Sequence, residues 1–280
     1  MLDRPIFLIG AARSGTTLLG DILSKHHDLA YWIEPKYIWK YKSPNILNDY
    51  RFKDDVDDDI RKFIYNRFNL FLKKCKKSRF IEKTPSNCFR IPFIDSIFPN
   101  AIYINIIRDG RDVTISAYKK WTFKHDTSAY ERRLSFNEFP LIDFPYYLFH
   151  FVKQFVIQQF YPNELRMWGP MSPSIITYLN KSIEEACAYQ WRESTETSIN
   201  DLSKIDQNRV INIRYEDLLS DPCKHLNEIF KVCKLSNSNE TILYAENIIK
   251  SNNSNKWLNN KFIDKVSYIL DPTLEKLGYL

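Results

Sequence analysis

Short apolar runs alternate with longer amphipathic stretches along this chain. Residues 6–9, 29–33, 79–81, 101–107 and 210–213 read as strands, and 101–107 carries the strongest pattern. Residues 15–26, 60–75, 89–98, 111–121, 182–202 and 223–233 read as helices, and the Asn/Ser-rich tail from 237 becomes helical toward its end. Within 60–75 the apolar residues Ile60, Phe63, Ile64, Phe68, Phe71, Leu72 and Cys75 recur at helical spacing. The acidic stretch 54–59 just before them stabilises that helix's N-terminal end through the helix dipole. Strands alternating with helices predict an α/β fold, a three-layer sandwich with a central parallel sheet and helices on both faces.

One stretch breaks the alternation. Pro140, Pro145, Pro162, Gly169, Pro170 and Pro173 interrupt 122–180, with a helical pattern surviving at 147–160. It is too long for an ordinary connection. The expectation is one domain over 1–280, with a lid or acceptor-binding insertion at about 122–180.

Composition narrows the class. Of 280 residues, 44% are hydrophobic and 26% charged, as in an ordinary globular protein. Aromatics reach 15%, many of them between 121 and 161. The net charge of +6 suits an anionic ligand, but no basic run interleaves with stacking aromatics, so nucleic acid is not an expected partner. Five dispersed cysteines, none in a Cys-x-x-Cys pair, argue against a disulfide framework or a zinc site and fit a reducing compartment. No apolar run is long enough for a transmembrane segment, and the first strand starts too early to leave room for a signal peptide. The expected location is cytoplasmic.

The chemistry begins directly after the first strand. Gly10-Ala11-Ala12-Arg13-Ser14-Gly15-Thr16-Thr17 keeps the Gly-x-x-x-x-Gly-x-Thr frame of a phosphate-binding loop. The lysine that would reach a β/γ-phosphate pair is replaced by Thr16, and a cation, Arg13, stands three residues earlier. The cradle is kept and the triphosphate clamp is gone.

In an open parallel sheet, ligands bind beyond the carboxyl ends of the strands. Every predicted strand empties into charge there. The second ends in Glu34-Pro35, the third in Glu82-Lys83-Thr84-Pro85, the fourth in Arg108-Asp109-Gly110-Arg111-Asp112, and the fifth in Arg214-Tyr215-Glu216-Asp217. Five polar ends on one edge predict a common site.

These segments resemble the sulfotransferase family that uses 3′-phosphoadenylyl sulfate (PAPS), especially its bacterial and tyrosylprotein-sulfotransferase-like members. Arg13-Ser14-Gly15-Thr16-Thr17 is similar to the family's 5′-phosphosulfate loop. Phe98-Pro99-Asn100 through Ile107-Arg108-Asp109-Gly110-Arg111-Asp112-Val113, with Ser116 eight residues after Arg108, is similar to its 3′-phosphate motif. The strand leading to Tyr215-Glu216-Asp217-Leu218, and Ser254-Asn255-Lys256-Trp257, resemble two later elements. The matching pieces cover 5–35, 79–121 and 185–260.

The resemblance implies PAPS as co-substrate and no metal. The N–H groups of Gly15, Thr16 and Thr17 would face the 5′-phosphate at a helix start. Arg13, beside Ser14, would neutralise charge as the S–O bond breaks. Arg108 and Ser116 would hold the 3′-phosphate, with Tyr215 and Lys256 as further donor contacts. Arg111 and Asp112 are expected to pair on a helix surface. The acceptor hydroxyl must lose a proton, and Glu34 is the candidate base, placed beside the phosphosulfate loop, with Lys83 neutralising the transferred oxygens. His26 and His27 are the alternative bases, at the far end of the first helix. The acceptor class stays open among small molecules, glycans, lipids and peptides. Two rivals remain: a P-loop kinase or NTPase with a variant loop, and a non-catalytic nucleotide-binding protein on the same fold.

Overall fold

A computed structural model describes residues 2–44, 47–122, 145, 148–149, 168–249, 257–258 and 260–280. Five strands form one sheet: β1 (Ile6–Ile9), β2 (Leu29–Ile33), β3 (Arg79–Lys83), β4 (Ile102–Ile107) and β5 (Val210–Arg214). Their order is β2-β3-β1-β4-β5 and every pairing is parallel. Parallel strands need crossovers, and helices supply them. These include α1 (Thr16–Leu23), α2 (Lys36–Trp39), α3 (Asp58–Cys75), α4 (Ile91–Ile97), α5 (Gly110–Thr122), α6 (Pro173–Leu179) and α7 (Ile183–Leu202). After β5 come α8 (Tyr215–Ser220), α9 (Pro222–Cys233), α10 (Asn239–Ile248), α11 (Lys261–Asp264) and α12 (Ser267–Lys276).

The period-two alternation of each strand divides the core. Phe7, Ile9, Phe80 and Tyr103 face one layer, with Ile64 and Phe68 of α3, Phe93 and Ile94 of α4, and Cys187 of α7. Ile6, Leu8, Ile81, Ile104 and Ile213 face the other, against Leu19 and Ile22 of α1 and Ile229 and Phe230 of α9. β1 is buried throughout, as a central parallel strand must be, while the edge strands β2 and β5 are partly exposed. Much of the aromatic content lies in the first layer: Phe7 has Trp39, Phe68, Phe80 and Phe98 within 6.3 Å, ring centroid to centroid.

Several local expectations can be read off the structure. Asp57 caps α3, its carboxylate accepting the Ile60 N–H at 2.7 Å, and Asp58 and Asp59 fill the first turn. β3 runs two residues past the predicted 79–81, because Glu82 and Lys83 still pair with β1 and β2. The expected insertion at about 122–180 lies mostly outside the described residues, as does Lys256. Its described end folds as α6, whose cap Ser172 accepts from the Ile175 N–H. Among the described residues no helix is long and apolar enough to cross a membrane.

Candidate active site

The loop after β1 leads into α1 through Gly15, whose φ of 99° places it in the left-handed region. A Cβ at this position would lie 2.3 Å from the Tyr215 ring, so a side chain is excluded by both backbone and space. α1 has no side-chain cap and no acid in its first turn. Its leading N–H groups therefore face outward with the positive end of the helix dipole, as an anion site requires.

A cavity of about 260 Å³ opens in front of that turn, lined by Arg13, Gly15, Thr16 and Thr17 on the loop side. Arg108, Ser116 and Tyr215 line the opposite side. The structure thus brings together the predicted residues of β1, β4 and β5. Arg13 has φ 77° and sends its Nε to Ser116 Oγ at 3.0 Å. Arg108 is buried, donates to the Arg13 carbonyl at 3.2 Å, and lies 4.2 Å over the Tyr215 ring. Burial, the largest cause, raises the Tyr215 phenol above its ordinary value, so it stays neutral beside the arginine. Ser14 does not line the cavity; its side chain is buried and its N–H closes a turn onto the Ala11 carbonyl.

Lys119 also lines the cavity and went unpredicted. The signal was present: Asp112, Ser116 and Lys119 recur at i, i+4 and i+7, one stripe of α5. The pairing expected between Arg111 and Asp112 is not found. Asp112 faces Arg108 at 3.5 Å, while Arg111 turns back to Asp109 at 2.7 Å, and both pairs are buried rather than on a helix surface.

Glu34 and Lys83 form a second cluster that does not line this cavity. Lys83 Nζ lies 2.8 Å from Glu34 Oε1, and Lys36 Nζ lies 3.4 Å from Oε2. The Glu34 N–H also bonds the Lys83 carbonyl at 2.8 Å. The expectation that Glu34 adjoins the phosphate loop needs correction. β3 lies between β1 and β2, so Lys83 ends the strand next to the loop and Glu34 sits one strand further out. Glu34 has φ 52°, a strained value for a residue that caps no helix. His26 is fully buried at the far end of α1, with Nε2 2.9 Å from the Ser236 carbonyl and Nδ1 accepting the Asp28 N–H. Both ring nitrogens are engaged away from the sheet's carboxyl edge.

Next to Lys83 in β3 lies Glu82, a carboxylate that the sequence placed at a polar strand end but gave no role. Glu82 has no exposed surface and accepts from Trp39 Nε1 (3.2 Å), Thr84 Oγ1 (2.5 Å) and Asn87 Nδ2 (2.6 Å). Burial is the largest influence and pushes its carboxyl up to about 7, against the pull of those three donors. Nearby, Asp49 gathers Lys40 Nζ at 2.9 Å, Ser86 Oγ at 2.8 Å and the Met171 N–H at 2.9 Å, with Arg90 at 3.4 Å. Burial alone would raise Asp49, but Arg90 and Lys40 outweigh it and hold the carboxyl below its ordinary value. This hub joins the chain at 171 to the turns that follow β2 and β3.

A central parallel sheet with helices on both faces, an uncapped glycine turn after β1 and two arginines at a cavity beside it define an α/β protein with a P-loop-like fold. Comparison with known proteins gives the family. Residues 5–143 match the model described as the sulfotransferase family, and the chain belongs to that family. An Aquifex aeolicus (strain VF5) protein described as an "Uncharacterized protein" is 27% identical over 140 residues, a match covering 45% of this chain and 18% of that protein. Among solved structures, the sulfotransferase domain of the Synechococcus PCC 7002 olefin synthase superposes with a TM-score of 0.58 at 16% identity, covering 99% of this chain and 96% of that one. The sulfotransferase of Alicyclobacillus acidocaldarius gives 0.52 at 16% identity, covering 100% and 96%. These two likenesses show the fold.

Proposed function

We propose that the protein transfers a sulfuryl group from PAPS to a hydroxyl or amine of an acceptor. The observation that supports this reading is a single cavity lined by three cations, Arg13, Arg108 and Lys119, with Asp112 among them, which we read as two anion positions. One is the uncapped start of α1 behind Arg13; the other is formed by Arg108, Ser116 and Lys119. PAPS carries a 5′-phosphosulfate and a distinct 3′-phosphate, which suits two positions, whereas a nucleoside triphosphate concentrates its charge in one chain. The residues fit the group: N–H groups of the first turn for the 5′-phosphate, Arg13 for charge on the departing oxygen, and Arg108 for the 3′-phosphate.

Sulfuryl transfer resembles phosphoryl transfer, so positioning and charge stabilisation dominate. As the acceptor oxygen attacks sulfur, the S–O bond to the 5′-phosphate would break and adenosine 3′,5′-bisphosphate would leave, the acceptor's proton passing to Glu34 while Lys83 turns from Glu34 toward the transferred oxygens. A thermal-shift comparison of adenosine 3′,5′-bisphosphate, ATP, and ATP with Mg²⁺ tests the donor. The expected result is a shift with the bisphosphate alone. A shift confined to ATP with Mg²⁺ would instead favour a kinase or NTPase. Transfer is expected to persist in EDTA.

A further inference from the structure

Tyr279 is remote in sequence from the strand ends around the donor cavity, yet it is bonded to both. Its hydroxyl donates to Glu216 Oε2 at 2.8 Å, and the other oxygen of that carboxylate accepts the Asp109 N–H at 3.2 Å. Its carbonyl accepts from Arg111 Nη2 at 2.9 Å, and Arg111 grips Asp109 through Nε at 2.9 Å and Nη2 at 2.7 Å. The bonds close a ring: Tyr279, Glu216, Asp109, Arg111 and back to Tyr279. Cation–aromatic contacts join two of its members, Tyr279 and Arg111, to groups outside it. Arg214 lies 4.7 Å over the Tyr279 ring, and the Arg111 guanidinium lies 3.6 Å over the Trp257 ring.

None of the four ring members lines the donor cavity. Their positions beside it explain what they do. The β4–β5 ladder ends at the pair Ile107 and Arg214, and the next residue on each strand is a cavity wall, Arg108 and Tyr215. Past that pair the sheet's own hydrogen bonds no longer fix the two chains relative to each other. Asp109 and Glu216, each one residue further on, are joined by the ring instead. The Arg108–Tyr215 stack at 4.2 Å is thus held between the last ladder pair on one side and the ring on the other.

We propose that Tyr279 is a positioning residue for the donor site, acting through Glu216 and Asp109 to hold Arg108 and Tyr215 for a nucleotide's 3′-phosphate. This rests on the donor reading given above. Its distinguishing property is selectivity: none of the ring's own bonds reaches the α1 turn, which takes the 5′-phosphate in that reading, so its loss acts first on Arg108 and the 3′-phosphate side.

The test is calorimetric titration of the full chain with adenosine 3′,5′-bisphosphate and with adenosine 5′-monophosphate. Wild type is compared with Tyr279→Phe and Glu216→Gln. Loss of one hydrogen bond to a charged group predicts bisphosphate binding weakened by about tenfold in Tyr279→Phe, with monophosphate binding changed by less than about twofold. Glu216→Gln, which keeps the side chain's shape, should move the same ratio in the same direction. An unchanged ratio in both variants, or an equal loss for both nucleotides, overturns the inference while leaving the donor reading intact. A wild-type protein with no preference for the bisphosphate overturns both.

Discussion

Arg13 Nε donates to Ser116 Oγ at 3.0 Å across 103 residues of sequence. The contact ties the phosphate loop to α5 and places the Arg13 cation between the two proposed phosphate positions. Arg13→Ala should therefore abolish most sulfuryl transfer, measured as adenosine 3′,5′-bisphosphate release in the presence of acceptor. Arg108→Ala should act on binding instead, weakening the bisphosphate by about 10- to 100-fold in calorimetry. Arg108→Lys should rescue little, because a lysine cannot form the planar two-pronged contact or stack on Tyr215 in the same way. Full transfer by Arg13→Ala would remove the loop from the proposed chemistry.

Glu34→Gln should leave bisphosphate binding unchanged and lower turnover by at least about 100-fold, the range expected for a general base. Lys83→Met removes the 2.8 Å partner of Glu34 and should also lower turnover without affecting the donor dissociation constant. Turnover within a few-fold of wild type for Glu34→Gln would transfer the role of base to another group.

Gly15→Ala places a methyl where the Tyr215 ring stands and imposes a side chain on a φ of 99°. Thermal unfolding should show a loss of about 1–3 kcal/mol, the usual cost of an incompatible backbone or an overpacked site. Adding Tyr215→Ala relieves the clash but not the backbone strain, so the double variant should recover only part of that stability. Complete recovery would mean that the left-handed turn is not required.

Glu82 gives a pH dependence opposite to that of an ion-paired carboxylate. Its folded value near 7 stands above the ordinary glutamate value of 4.5, so between those two pH values the folded state binds more protons than the unfolded state. Its contribution to stability is present in full below about 4.5 and is lost as pH rises to about 7. Glu82→Gln cannot ionise, and the slope of its unfolding free energy against pH over this window should be more positive than that of wild type. Identical slopes from denaturant melts at pH 5 and pH 7.5 would show that Glu82 does not titrate there.

The strands were legible because their cores are apolar, and the phosphate loop because glycine spacing is a backbone requirement. Strand order was not. No local pattern states that β3 enters between β1 and β2, so Glu34 was expected beside a loop from which Lys83 separates it. Buried charge was equally hidden. Hydropathy ends β3 at Ile81, yet the ladder continues because Glu82 and Lys83 find partners on other elements. Asp49 stands alone in a stretch without periodicity, and its partners at 40, 86, 90 and 171 meet only in three dimensions. Arg111 and Asp112 look like a helix-surface pair until the turn at Asp109 draws the arginine backward.

The position of β1 at the centre of the sheet has an evolutionary consequence. On its β4–β5 side stand the groups proposed to hold a nucleotide common to many reactions; on its β3–β2 side stand Glu34 and Lys83, proposed to meet whatever accepts the sulfuryl group. Selection for a new acceptor can therefore rework one flank of the sheet while the other is inherited unchanged. Homologues of this protein should diverge asymmetrically, drifting fastest beyond β2 and β3 and slowest along the strand ends that close on Tyr279.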